Sequence, residues 1–174
     1  MGNQPGRPAS DVWGGSAGRA APIRVILADT QSLYRVGIRK IFASEEGIQL
    51  VAQPETLGHV LEAVAKLPAD VLLFESSLSQ EPAETVSEVL KRAAGLKVVV
   101  LVEKPLAEQA TVEYVRRGAR GMVNRSIPPE LLVRCVRKVA AGEPWLDKRS
   151  VHWLAEAFRA QAHSAVPHSK LQLS

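Results

Sequence analysis

Residues 70–75 read D-V-L-L-F-E and residues 97–102 read K-V-V-V-L-V. Both runs have strand length and are nearly continuous in Val, Leu and Phe, without the alternation of a strand that keeps one face in water. Such runs belong to parallel strands covered on both sides. Working outward, I-R-V-I-L-A (23–28), I-Q-L-V-A-Q (48–53) and the shorter R-G-M-V-N (120–124) complete a set of five strands. Between them, apolar residues recur every three or four positions: Leu33, Val36, Gly37 and Ile41, then Leu57, Val60, Leu61 and Val64, then Val86, Val89, Leu90 and Ala93. That spacing predicts helices with one apolar face. A fourth helix, around 106–117, has only the thin stripe Val112 and Val115 beside Arg116 and Arg117, so it is expected to pack least firmly and be free to move. A fifth, 128–141, opens on Pro128 and Pro129, carries Leu131, Leu132, Cys135, Val136 and Val139, and stops at Gly142. Strict strand–helix alternation requires right-handed crossovers and helices on both faces of a parallel sheet, a doubly wound α/β sandwich.

The flanks differ from this centre. Residues 1–21 are rich in Gly, Pro, Ala and Ser without periodicity and read as a flexible leader, so the folded domain is placed at 22–145. Asp147 is positioned to cap a sixth helix with Val151, Leu154, Ala155 and Phe158 on one side. No strand precedes that helix, so 146–162 reads as a connector, and the pattern is lost over 163–174. The 174 residues are 46% hydrophobic and 23% charged, which fits one globular domain with appendages and excludes a disordered chain. No stretch approaches a membrane span and no export signal opens the chain. The single cysteine, Cys135, forbids an internal disulfide and cannot alone build a zinc site; it fits a buried small hydrophobe in a reducing, cytoplasmic setting. His59, His152, His163 and His168 lack metal-binding spacing.

Ligands of doubly wound sheets bind beyond the carboxyl ends of the strands. Here strands one, three, four and five end at Asp29, Glu75, Val102 and Arg125. Two carboxylates and a guanidinium in one crevice admit two readings. The acids could hold Mg²⁺ or do acid/base work. In the simpler reading Arg125 reaches over to neutralise Glu75, with Asp29 as a second candidate partner, in a partly buried cluster.

These residues carry a resemblance. I-R-V-I-L-A-D (23–29), L-Y-R-V-G-I (33–38), A-D-V-L-L-F-E (69–75), K-V-V-V-L-V (97–102), R-G-A-R-G-M-V-N-R (117–125), P-P-E-L-L (128–132) and V-A-A-G-E-P-W-L-D (139–147) stand in one order and spacing. Over Ile23 to Phe158 the chain resembles the receiver domain of a NarL/LuxR-like response regulator of two-component (phosphorelay) signal transduction. The resemblance implies a flavodoxin-like (CheY-like) fold of strand order 2-1-3-4-5 with an added C-terminal connector helix. It also implies a phosphoacceptor aspartate ending strand three, an acidic pair for Mg²⁺ ending strand one, Thr or Ser ending strand four and Lys ending strand five. Only Asp29 is kept: Thr30 replaces the second acid, Glu75 the phosphoacceptor, Val102 the hydroxyl and Arg125 the lysine, while Met122 fills the aromatic switch position. Each change has a physical consequence. Glu75 moves its oxygens by a methylene, and a misplacement of about 1 Å can cost ~10²-fold in a positioned reaction. Thr30 removes a hard ligand, leaving Asp29 a weak Mg²⁺ site at best and no other cofactor expected. Val102 cannot follow a phosphoryl oxygen, and the planar fork of Arg125 suits a constitutive pair with Glu75.

The expected role is therefore an atypical, phosphorylation-independent receiver and not an enzyme, with Glu75 either mimicking the phosphorylated state or inert. It would act by homodimerisation and by control of a helix-turn-helix output domain, with DNA contacted only indirectly, a sensor kinase as a further partner and no membrane. In this family the chain end S-K-L-Q-L-S (169–174) resembles the approach to such an output domain. Residues 1–115 carry a charge balance of −3 and residues 116–174 one of +7. Arg116, Arg117, Arg120, Arg134, Arg137 and Lys138 are the expected interface, with only Tyr114 nearby to stack on a base, which ranks protein contact above phosphate binding. The alternatives are an Mg²⁺-dependent enzyme using Asp29 and Glu75, and a nonspecific nucleic-acid binder using the basic half.

Overall fold

A computed structural model describes residues 20–164; the expected leader over 1–19 and the expected tail beyond Ser164, His168 included, lie outside the described residues. The elements are β1 (Ile23–Ala28), α1 (Ser32–Ala43), β2 (Ile48–Ala52), α2 (Leu57–Lys66), β3 (Val71–Glu75), a 3₁₀ turn (Ser76–Leu78), α3 (Pro82–Arg92), β4 (Lys97–Val102), α4 (Glu108–Arg116), β5 (Gly121–Asn124), α5 (Pro129–Ala140) and α6 (Lys148–Ser164). All strand pairs are parallel and the order is β2-β1-β3-β4-β5, as expected.

The continuous apolar runs serve two cores, because successive side chains leave a strand on opposite faces. Val25, Leu27, Val71, Leu73, Val99 and Leu101 pack under α1 and α5 with Ile38, Phe42, Leu132 and Val136. Ile26, Leu72, Phe74, Val98 and Val100 pack on the other side with Val60, Val86, Val89 and Tyr114. Both layers are apolar and buried, which is why these strands carry no polar alternation. Past α5, Gly142 takes φ +93° and turns the chain back, and Trp145 then bridges Gly121 along the open edge of β5. Gly121 allows that approach, since a side chain there would press on the Trp145 backbone and Cβ.

Three helix faces differ from the sequence reading. In α1 the expected Leu33 and Val36 are exposed, Leu33 by 84%, while Ile38 and Phe42 are buried. A helix interleaving several apolar positions offers two candidate stripes, and the sheet chose the one carrying Phe42. In α5 the same ambiguity leaves Leu131 exposed and buries Val133. In α6 the buried or half-buried residues are Ser150, Trp153, Leu154, Ala155 and Ala157, so Leu154 and Ala155 of the expected stripe are covered while Val151 and Phe158 are exposed by 53% and 64%. The expectation of a loosely packed α4 is likewise corrected. α6 lies against it, and Val112 and Val115 of α4 share a groove with Leu154, Ala157 and Phe158. The thin stripe on α4 is explained by this: part of its cover is another helix, not the sheet.

Candidate functional site

The site is built from the loops after β1, β3, β4 and β5. Asp29 directly follows β1 and is fully buried, and its backbone N–H donates to Pro54 O at 3.2 Å. Its Oδ1 accepts from the Gln31 backbone N–H at 2.8 Å and from Arg125 Nη2. Its Oδ2 is buried without a partner. Arg125 follows β5 and keeps its loop position through its own N–H, which donates to Val102 O at 2.9 Å. Its Nη1 donates to Glu103 Oε1 at 2.7 Å, and its guanidinium lies 4.7 Å from the centre of the Tyr34 ring. The guanidinium side chain is only 9% exposed, with Nε unpartnered. Glu103 is further held by Gln31 Nε2, and its carbonyl by Asn124 Nδ2 at 3.1 Å. Arg35 donates to Asp29 O at 2.6 Å and to Glu55 at 2.9 Å, anchoring α1 to the loop after β2.

Glu75 departs from the expected pairing. It is 2% exposed, yet Arg125 does not reach it. Both its oxygens are instead taken by the next turn: Oε1 accepts from Ser77 N–H at 3.0 Å and Oε2 from the Ser77 hydroxyl at 2.5 Å. The extra methylene lets the carboxylate fold back and cap its own 3₁₀ turn. The Arg125–Glu75 pair is thus replaced by an Asp29–Arg125–Glu103 bridge. Thr30 is exposed, Val102 is buried at the end of β4, and Met122 is half-buried. Met122 and Val102 line a cavity of about 220 Å³ with Thr111, Asp147, Arg149 and Trp153, so Met122 faces α6.

The electrostatics follow from burial. Burial pushes the Asp29 carboxyl above its ordinary value, more than the Gln31 N–H and the Arg125 charge bring it down; the Glu75 charge adds to the rise and Arg35 opposes it. Burial, with the Asp29 charge added and Arg125 opposing, pushes the Tyr34 phenol up to about 12. Tyr114 is raised by burial and then by the Glu75 charge.

A divalent cation does not suit this donor set. Of the four oxygens on Asp29 and Glu75 only Asp29 Oδ2 is free, a guanidinium already sits on the same carboxylate, and Thr30 adds no charge. No group of three or more His, Cys, Asp or Glu able to hold a metal occurs among the described residues. Reading the sequence missed Tyr34, Glu103 and Ser77; the only signal was position, since Glu103 directly follows the end of β4 and Ser77 follows Glu75 by two.

The expected basic interface is divided. Arg117 turns to Glu113 at 2.8 Å and towards Glu84 on α3. Arg137 turns to Glu45 at 3.0 Å and to the Glu46 carbonyl, in the turn after α1. Arg116, Arg120, Arg134 and Lys138 are exposed. Tyr114 is buried, with 4% exposed, and offers no ring to a base. Cys135 is fully buried, and burial pushes its thiol up to about 12, in keeping with a small hydrophobe. No helix among the described residues is long and apolar enough to cross a membrane.

No protein-family model matches the chain. Among curated proteins it is similar to the transcriptional regulatory protein DegU of Brevibacillus brevis, 25% identical over 138 residues that span 79% of this chain and 58% of DegU. It is also similar to the response regulator GacA of Pseudomonas aeruginosa, 27% identical over 82% of this chain and 67% of that one. The DNA-binding transcriptional activator DevR/DosR of Mycobacterium tuberculosis is 28% identical over 86% of this chain and 69% of its own. The chain thus spans roughly six to seven tenths of these relatives. The isolated REC domain of RcsB from Salmonella enterica serovar Typhimurium in the apo form has the same fold, with TM-score 0.69 and 22% identity over 77% of this chain and 98% of that one. So does a LuxR-family two-component response regulator from Aurantimonas sp. SI85-9A1, with TM-score 0.68 and 18% identity over 80% of this chain and 99% of that one.

Proposed function

We propose that this chain, a receiver domain of the NarL/LuxR response-regulator family, serves two-component signalling as a phosphorylation-independent module. Its output would be homodimerisation and control of a helix-turn-helix DNA-binding domain, attached or in a partner, with a sensor kinase as a further candidate partner and the cytoplasm as its compartment. DNA is then met indirectly, and no resident cofactor and no enzymatic turnover are required.

The observation that carries this reading is the engagement of Glu75. A phosphoacceptor must present a free carboxylate oxygen to the donor, in line and beside a metal. Glu75 is buried with both oxygens bonded to Ser77. Arg125 occupies the neighbouring acid, and Val102 offers no hydroxyl to a phosphoryl oxygen. The Mg²⁺-dependent enzyme alternative meets the same obstacle. Incubation with acetyl phosphate and Mg²⁺, followed by intact-mass spectrometry, is expected to leave the mass unchanged. Stoichiometric phosphorylation mapped to Glu75 would overturn the proposal.

A further inference from the structure

We propose that Arg125 is the resident cation of the acidic pocket: it supplies, between Asp29 and the β4–α4 loop, the positive charge a divalent metal would supply, and the pocket takes up such a cation only once the guanidinium is removed. This rests on the receiver reading for where the pocket lies, and stands separately from whether Glu75 accepts a phosphoryl group.

A fully buried carboxylate is costly unless a positive partner or several donors meet it. Asp29 has one backbone N–H and Arg125 on Oδ1, and nothing on Oδ2. Arg125 is itself held on three sides, by Asp29, by Glu103 and by the Tyr34 ring. One fork therefore joins the end of β1 to the first residue after β4. Gln31 Nε2, just ahead of α1, and Asn124 Nδ2 of β5 hold the same Glu103. A divalent ion would have to displace this guanidinium, which is tethered by its own backbone and pays no cost of association. Without it, Asp29 and Glu103 face each other as carboxylates with unfilled lone pairs, the hard oxygen donors that Mg²⁺ and Mn²⁺ select. The β4–α4 loop is meanwhile fastened whether or not any ligand is present.

The test uses the full chain, its Arg125→Ala variant and the double variant Asp29→Asn/Arg125→Ala, with Mn²⁺ as probe. Binding is counted from the free aqua-ion signal in electron paramagnetic resonance, and stability is followed by thermal melting. The unaltered chain is expected to take up no Mn²⁺ and to melt at an unchanged temperature. Arg125→Ala is expected to bind one ion and to gain about 5 °C or more once Mn²⁺ stands about a hundredfold above its dissociation constant. The double variant is expected to fold and to bind none. Equal binding by the unaltered chain and Arg125→Ala overturns the proposal. So does binding by the double variant, or an Arg125→Ala chain that Mn²⁺ neither occupies nor stabilises. A double variant that fails to fold also overturns it, because removing both charges leaves neither of that pair unpaired. Phosphorylation of Glu75 in the acetyl phosphate experiment would leave all of these outcomes as they stand.

Discussion

Asp29 is the residue on which the local balance turns. Its carboxyl is raised by burial despite the adjacent guanidinium, so desolvation outweighs the ion pair at that atom. An acid whose folded pKa lies above its unfolded value holds its proton more tightly when folded. Its contribution is therefore favourable at low pH and is lost as pH rises from the ordinary carboxylate value through the raised one. Asp29→Asn removes that loss while leaving Arg125 its bond to Glu103. In urea melts the variant should match the parent at pH 7 to within about 1 kcal/mol and show a flatter decline from about pH 4 upward. A loss of more than about 3 kcal/mol at pH 7 would mean that the pair outweighs burial.

Among the elements, α6 is the helix that packs on α4. It starts on an Asp147 cap that accepts the Ser150 N–H at 2.7 Å, and Leu154 closes it onto α4. The cation–π pair of Arg149 and Trp153, 5.0 Å from charge to ring centre, sits at the same end, beside Met122. α6 thus touches both α4 and Met122 of β5. Leu154→Ala should cost about 2–3 kcal/mol at that seam. The loss should be local: Trp153 fluorescence moves to longer wavelength and trypsin cuts within α6, while the unfolding midpoint of the sheet shifts less. A cooperative loss of the whole fold would show instead that α6 is integral to the core.

For the molecule as a whole, charge is the property most easily misread. The positive balance of residues 116–174 suggests one basic face, but Arg117 and Arg137 each turn to a carboxylate on a different side of the sandwich. Fewer free cations then share one surface than the sequence count implies. Binding to a nonspecific DNA duplex should accordingly be weak, with a logarithmic salt slope shallower than about −2 by fluorescence anisotropy. A slope near −5 would instead indicate about five or six phosphates met at once and revive the nucleic-acid reading.

The strands, the turn at Gly142 and the positions that end each strand were legible in the chain's own residues, and the strand order through the family resemblance. These are local quantities: run length, period and the residue type at a chain reversal. Departure from the receiver pattern at Thr30, Glu75, Val102 and Arg125 was equally legible, because it is a matter of identity at aligned positions. Only the tertiary structure decided which of two apolar stripes α1, α5 and α6 would bury, since periodicity marks several candidates and the neighbouring layer selects one. It alone decided the partner of Arg125 as well. Asp29 and Glu75 are within sequence expectation of one crevice and Glu103 is not, yet it is Glu75 that closes on Ser77 two residues away. Glu75 finds its donors within its own turn, and the guanidinium goes to the buried Asp29 and the loop acid Glu103.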